Sequence, residues 1–271
     1  MDMNTVAERG LVLLGCGKMG SAMLQGWLNN GLPASSVHVI DPHPSEWVQG
    51  TGVYINTDLP AQPAIVLIAV KPQKMGDALP TIAAMGGGKT LFLSVAAGTS
   101  IATFEAAFGS DTPIIRAMPN TPAAVGRGIT AIIGNATSTA AQLDLAAALL
   151  QAVGQVVRLK DEGQMDAVTA VSGSGPAYVF HLIETLALAG EEQGLPPELA
   201  LQLARATVAG AGALAEDTPE TPGQLRVNVT SPHGTTQAAL KVLMDHETGF
   251  PSLLSRAVQA AADRSKELSN G

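Results

Sequence analysis

The chain has 271 residues, 46% of them hydrophobic and 14% charged, with a formal net charge of −8. Such apolar content excludes a disordered chain and can fill one large core or two modest ones. The acidic balance excludes a basic nucleic-acid surface, and no apolar run reaches membrane-spanning length.

No N-terminal segment shows the basic-then-apolar layout of a signal peptide. The single cysteine, Cys16, leaves no internal disulfide and suits a reducing cytoplasm. The first predicted strand is Leu11-Val12-Leu13-Leu14, which runs into Gly15-Cys16-Gly17-Lys18-Met19-Gly20 and then a helical pattern over residues 18–30. A strand, G-x-G-x-x-G and a helix in that order form the dinucleotide fingerprint. The first glycine allows the tight turn, the second lets backbone approach a pyrophosphate, and the third lets helix pack on strand. Free N–H groups at the helix start favour the phosphate charge. Cys16 reads as a small residue that fits this turn, with no base beside it to make it a nucleophile.

After a break at Gly31-Leu32-Pro33, Val37-His38-Val39-Ile40-Asp41 is the second strand. Asp41 falls about twenty residues past the last fingerprint glycine, where a carboxylate accepts hydrogen bonds from ribose hydroxyls and repels a 2′-phosphate. The same aspartate also fits a helix cap or turn, and both readings stand at this point. His38 alternates with apolar strand residues and reads as structural, and His43 as a loop residue near the adenosine end. A short strand follows at Gly52-Val53-Tyr54-Ile55-Asn56. Ile65-Val66-Leu67-Ile68-Ala69-Val70 is a central strand buried on both faces, ending at Lys71-Pro72. Leu91-Phe92-Leu93-Ser94-Val95 precedes Ala96-Ala97-Gly98, residues small enough to leave room for a flat ring. Ile114-Ile115-Arg116-Ala117 leads into the rigid loop Met118-Pro119-Asn120-Thr121-Pro122. Strands over 129–133 and 155–159, joined by an Ala-rich helix over 138–152, complete an α/β sheet with helices on its faces.

Composition shifts near Lys160-Asp161-Glu162-Gly163. The expected division is a Rossmann-type dinucleotide-binding domain over 1–162 and an all-helical domain over 163–271. The second half reads as a long helix over 164–193, interrupted at Ser172-Gly173-Ser174-Gly175-Pro176, and an Ala/Gly-rich helix over 196–215. A polar segment over 216–223 separates these from Gln224-Leu225-Arg226-Val227-Asn228-Val229-Thr230. Ser231-Pro232-His233-Gly234-Thr235-Thr236 then opens a helix to 243, and a last amphipathic helix covers 251–268. A helical half this apolar predicts self-association.

A nicotinamide enzyme needs positioning and electrostatics from the protein, because the cofactor carries the hydride. The substrate site is expected where the helical domain faces the carboxyl edge of the sheet. The 231–236 segment combines hydroxyls, a glycine and a helix start, which together can hold a carboxylate and reach a reacting nitrogen or oxygen. An ordinary Ser/Thr helix cap fits it equally well. His233 lacks a visible orienting partner, which weighs against a general acid and for a loop histidine. No His/Cys/Asp/Glu set has metal-ligand spacing, and no G-x-S-x-G elbow occurs.

From Gly15 to about Leu268 the chain resembles the pyrroline-5-carboxylate reductases. The resemblance is carried by Gly15-Cys16-Gly17-Lys18-Met19-Gly20, Ala69-Val70-Lys71-Pro72, Ser94-Val95-Ala96-Ala97-Gly98 and Met118-Pro119-Asn120-Thr121-Pro122, then Asp166-Ala167-Val168-Thr169, Ser172-Gly173-Ser174-Gly175-Pro176-Ala177-Tyr178 and the stretch 225–236. It implies hydride transfer from NADPH or NADH to the imine carbon of 1-pyrroline-5-carboxylate, giving L-proline. It places the pyrophosphate on Leu14, Gly15, Cys16, Gly17, Lys18 and Met19. Asn56, Ala69, Val70, Lys71 and Pro72 then line the adenosine and ribose side, and Ala96 and Ala97 border the nicotinamide. Glu162, Asn228, Ser231, Thr235 and Thr236 grip the substrate, in a homodimer that assembles further into a decamer. On physical grounds the helix start at Gly234, Thr235 and Thr236 holds the substrate carboxylate, and Thr236 hydrogen-bonds the ring nitrogen as the catalytic residue. Two positions depart from the family pattern. His233 stands where a small residue is usual, and Asp41 stands where NADPH-preferring members carry Ser, Thr or a basic neighbour. Another imine reductase or a β-hydroxyacid dehydrogenase is the nearest alternative. The latter relies on a helical-domain lysine that residues 172–193 lack. A non-catalytic nucleotide sensor would need an output surface that this acidic chain does not offer.

Overall fold

The computed structural model describes residues 3–270. Eight strands form one sheet: β1 (Leu11–Leu14), β2 (Val37–Ile40), β3 (Tyr54–Ile55), β4 (Ile65–Ile68), β5 (Leu91–Ser94), β6 (Ile114–Met118), β7 (Gly128–Gly134) and β8 (Gly154–Arg158). Their order is β3-β2-β1-β4-β5-β6-β7-β8. All neighbours are parallel except β6 and β7, which pair antiparallel with Ala117 opposite Ile132. Every strand expected from the sequence is present, several trimmed by a residue or more at their ends.

The helices in this part are α1 (Met3–Arg9), α2 (Lys18–Asn29), α3 (Glu46–Gln49), α4 (Met75–Ala78), α5 (Ile101–Phe108), α6 (Ala140–Gln151) and α7 (Met165–Val168). Strand β1 is buried at all four positions, and its alternating side chains feed two cores. Leu11 and Leu13 join Met23, Leu24 and Trp27 of α2 and Leu145, Leu149 and Leu150 of α6. Val12 and Leu14 join Met75, Phe104 and Phe108 on the other face. The Trp27 Nε1–H donates to the Leu149 carbonyl at 2.9 Å, tying α2 to α6 through a buried bond.

Four helices here, α1, α3, α4 and α5, were not expected from the sequence. Helix α1 buries only Val6. Helix α5 begins at Ser100, whose hydroxyl accepts from the Thr103 amide, and buries Phe104 and Phe108. Phe108 stacks on Phe92 of β5 with ring centroids 4.2 Å apart, so packing rather than local pattern decides this short helix.

The chain divides into two compact units: Met1–Gly173 with Ala262–Gly271, and Ser174–Ala261. The division falls later than the composition shift at 160–163, and the end of the last helix belongs with the sheet. Before the break, residues 165–173 run as α7 and then a π-helical turn (Thr169–Gly173), so the expected long helix is interrupted there. The second unit holds α8 (Gly175–Glu192), α9 (Pro197–Asp217), α10 (Pro222–Asn228), α11 (Thr235–Leu243) and the greater part of α12 (Phe250–Asn270). Segment 224–230, left unassigned by its sequence, is mostly α10, capped by Thr221. Helices α8 and α9 approach closely through Ala187, Ala200 and Ala204. Among the described residues no helix is long and apolar enough to cross a membrane.

Candidate functional site

The three fingerprint glycines each serve a different spatial need. Gly15 has φ +87°, and a Cβ there would stand 2.8 Å from Val70 Cγ1 and 2.9 Å from the Ala69 carbonyl oxygen. Gly20 lies where a Cβ would stand 2.5 Å from the Gly15 carbonyl oxygen, so only a glycine lets α2 sit this close to the turn. Gly17 has open space where its Cβ would be. It is also the cap of α2, and it brings no side-chain bond to the first amides of that helix. An uncapped helix start beneath an open glycine is a cradle for an anion, and these residues fit the pyrophosphate of a dinucleotide. Leu14 closes the strand below it, and Lys18 and Met19 form the first turn of α2 above.

Cys16 is 4% exposed. Burial pushes its thiol above the ordinary value, a hydrogen bond with Ser21 opposes this, and the Asp41 carboxylate adds to the rise. The thiol stays protonated, as the sequence reading of a small loop residue requires. The Cys16 backbone N–H donates to Asp41 Oδ2 at 2.7 Å, and the His43 N–H donates to Asp41 Oδ1 at 2.8 Å. Asp41 therefore serves as a turn residue, the alternative its sequence left open, while remaining at the end of β2. Asn56 is one of two non-glycine residues with positive φ among the described residues, at 51°. Its Nδ2 donates to the Asp41 carbonyl at 2.8 Å and its Oδ1 accepts from the Asp41 amide at 3.0 Å. Both ends of that amide side chain thus hold the backbone of Asp41.

On the other side of β1, Ala69 and Val70 are half-buried, Lys71 is exposed, and Pro72 opens a 3₁₀ turn. The Ala69 N–H donates to the Leu14 carbonyl at 2.8 Å, which keeps this segment beside the glycine turn. Beyond β5, the Ala96 N–H donates to the Ser94 hydroxyl at 3.2 Å, and Ala96 is buried while Ala97 is half-buried. Gly98 has φ +71°, and a Cβ there would stand 3.3 Å from Leu268 Cβ. The end of α12 thus covers this loop. Its neighbour Ser265 donates to Asp166 Oδ1 at 2.7 Å. The sequence held no local signal for that contact.

Glu162 lies in this same unit. Its Oε1 accepts from Arg116 Nη1 at 2.7 Å and from the Ile101 N–H, at the start of α5, at 3.0 Å. Arg116 is 5% exposed in the middle of β6. A guanidinium this deep requires a carboxylate, so an arginine inside the apolar run 114–117 was the available sign of a partner such as Glu162.

The other candidate residues lie in the second unit. Asn228, at the end of α10, donates through Nδ2 to Glu220 Oε1 at 2.9 Å and accepts at Oδ1 from Gln224 Nε2 at 2.7 Å. Glu220 and Gln224 were not expected from the sequence to have a part here. Gly234 caps α11 with no side-chain bond, and Thr235 and Thr236 begin that helix. A Cβ on Gly234 would collide with the Ser231 hydroxyl. His233 has φ +60°, a conformation glycine adopts freely, and its N–H donates to Gln237 Oε1 at 2.8 Å. This accounts for a small residue being usual there and leaves His233 a loop residue. Arg226, Val227, Thr230, Gln237, Leu240, Lys241 and Met244 line a groove of about 410 Å³ that none of the expected substrate residues borders.

Residues 162–268 match the family model described as pyrroline-5-carboxylate reductase dimerisation, and residues 10–98 match the one described as NADP oxidoreductase coenzyme F420-dependent. A pyrroline-5-carboxylate reductase of Pseudomonas aeruginosa is 39% identical over 95% of this chain and 96% of its own length. The chain belongs to the pyrroline-5-carboxylate reductase family. Among solved structures, the reductase of Coxiella burnetii aligns with TM-score 0.90 at 34% identity, over 96% of this chain and 98% of that one. The Plasmodium falciparum pyrroline carboxylate reductase, solved with NADP bound, aligns with TM-score 0.83 at 30% identity, over 97% and 99%. The reductase described here therefore joins a Rossmann-like dinucleotide-binding domain to a helical dimerisation domain, as its sequence implied.

Proposed function

We propose that this reductase reduces 1-pyrroline-5-carboxylate to L-proline, the last step of proline biosynthesis, in the cytoplasm. The bound dinucleotide, NADPH or NADH, supplies a hydride from nicotinamide C4 to the imine carbon. The amides at Gly17, Lys18 and Met19 hold its pyrophosphate, helped by the charge of the helix start. Leu14, Gly15 and Cys16 shape the turn, Asp41, Asn56 and the segment 69–72 flank the adenosine ribose, and Ala96 and Ala97 border the nicotinamide. The start of α11 at Gly234, Thr235 and Thr236 holds the substrate carboxylate, with the Gly234 N–H turned onto the Ser231 carbonyl and the Thr235 and Thr236 amides offered to the ligand. Ser231 and Asn228 support that loop, and Glu162 contributes the carboxylate oxygen not spent on Arg116 and Ile101. The Thr236 hydroxyl hydrogen-bonds the ring nitrogen and helps deliver its proton, which makes the imine carbon more electrophilic. The active assembly is a homodimer with helices from both chains at each site, further assembled into a decamer.

The observation that carries this reading is one chain holding both an open glycine cradle at Gly17 and an uncapped helix start at Gly234. Thr236→Ala tests it. The expected result is a fall in kcat of about 100-fold, within the range for a lost acid–base group, with dinucleotide affinity unchanged and activity largely kept in Thr236→Ser. A normal maximal rate and substrate affinity in Thr236→Ala would remove Thr236 from the mechanism.

A further inference from the structure

The end of β2 is where the adenosine ribose of a dinucleotide lies in folds of this class. The inference rests on the reading that residues 14–19 hold a dinucleotide pyrophosphate. The Asp41 carboxylate is fixed at both oxygens, by the Cys16 N–H at 2.7 Å and the His43 N–H at 2.8 Å. Its backbone is held in turn by both ends of the Asn56 amide. The negative charge therefore cannot swing away from the glycine turn to admit another anion.

The segment around Asp41 brings no lysine or arginine of its own. No lysine or arginine occurs between Lys18 and Lys71. Lys18 opens α2, and Lys71 follows β4, which β1 separates from β2 in the sheet. The loop after Asp41 brings a further acid, Glu46, at the start of α3, and His43 is its only basic side chain. A free 2′-hydroxyl placed beside Asp41 can donate to the unused lone pairs of its oxygens. A 2′-phosphate there meets a pinned carboxylate with no guanidinium to offset it.

We propose that Asp41, pinned by the amides of Cys16 and His43, makes this reductase select NADH over the 2′-phosphorylated NADPH. The test is calorimetric titration of the full-length protein with each reduced dinucleotide, for the native chain, Asp41→Asn and Asp41→Ser. Asp41→Asn removes the charge but keeps one amide-accepting oxygen, so it separates repulsion from support of the turn. The native protein is expected to bind NADH at least about tenfold more tightly than NADPH, since like-charge contacts are strongly unfavourable. Raising the salt concentration should narrow that gap by screening. Both variants should lower the NADH-to-NADPH affinity ratio about tenfold, chiefly through tighter NADPH binding. Equal or tighter binding of NADPH by the native protein, or a ratio unchanged in both variants, overturns the role of Asp41 alone. Failure of both dinucleotides to bind overturns the dinucleotide reading itself.

Discussion

The two compact units handle apolar surface in opposite ways. Around the sheet, Leu11, Leu13, Ile65, Leu67, Leu91 and Leu93 are fully buried by helices of the same unit. In the Ser174–Ala261 unit the buried cluster is three alanines, while Phe180 is 59% exposed, Leu188 58%, Leu203 47% and Leu214 54%. One unit completes its core from its own chain. The other presents a face that a second copy must cover, in keeping with its match to a dimerisation domain. The sheet unit buries its apolar residues within one chain, whereas the helical unit leaves large apolar residues exposed for association.

The strongest test of this contrast adds charge to the helical face. Phe180→Asp with Leu203→Asp should reduce the assembly to monomers in sedimentation, because each buried, unpaired charge costs several kcal/mol. Activity should fall by about 100-fold or more, while calorimetry shows dinucleotide affinity within about threefold of native. An assembled, active double variant would break the contrast.

The reciprocal change is Gly20→Ala. Its methyl would press on the Gly15 carbonyl oxygen at 2.5 Å, with an expected stability loss of about 1–3 kcal/mol. Dinucleotide affinity should weaken more than about tenfold, because the cradle must open to relieve the clash. Thermal unfolding and calorimetry read the two effects, and the oligomeric state should not move.

The smallest expected effect sharpens the picture of the sheet unit. Burial lowers the pKa of His38, partly offset by a hydrogen bond to the Asp58 backbone, and its ring stacks on Tyr54 at 4.8 Å. The folded state then takes up the proton less readily than the unfolded chain. Stability is full above the unfolded histidine pKa of about 6.5 and declines as pH falls from there towards the lower folded value. His38→Phe keeps the stacking and removes the titration. Urea unfolding at pH 7.5 and 5.0 should show it flattening the pH dependence by under about 1 kcal/mol. An unchanged slope would mean that His38 is not the group responsible.

Much of the sheet was legible because buried parallel strands are continuous apolar runs, and β1, β4 and β5 each read that way. Helix α5 was not, since eight residues of mixed Ala and Phe carry little local preference and take their helix from contacts with Phe92. The glycine turn was legible because backbone sterics at Gly15 and Gly20 leave no other residue type. The partnership of Arg116 with Glu162 was not, although an arginine within a buried strand announced that some carboxylate had to meet it.

By itself the sequence determined the strand set, the glycine turn and the family, because these follow from local sterics, periodicity and motif spacing. Only the tertiary structure decided that both oxygens of Asp41 are occupied by backbone amides, that Asn56 clamps the strand end, that β7 runs antiparallel to β6, and that the end of α12 covers Gly98. Each of those joins residues far apart in the chain. Local preference is silent on such contacts, and the free energy of closing and packing them settles the arrangement.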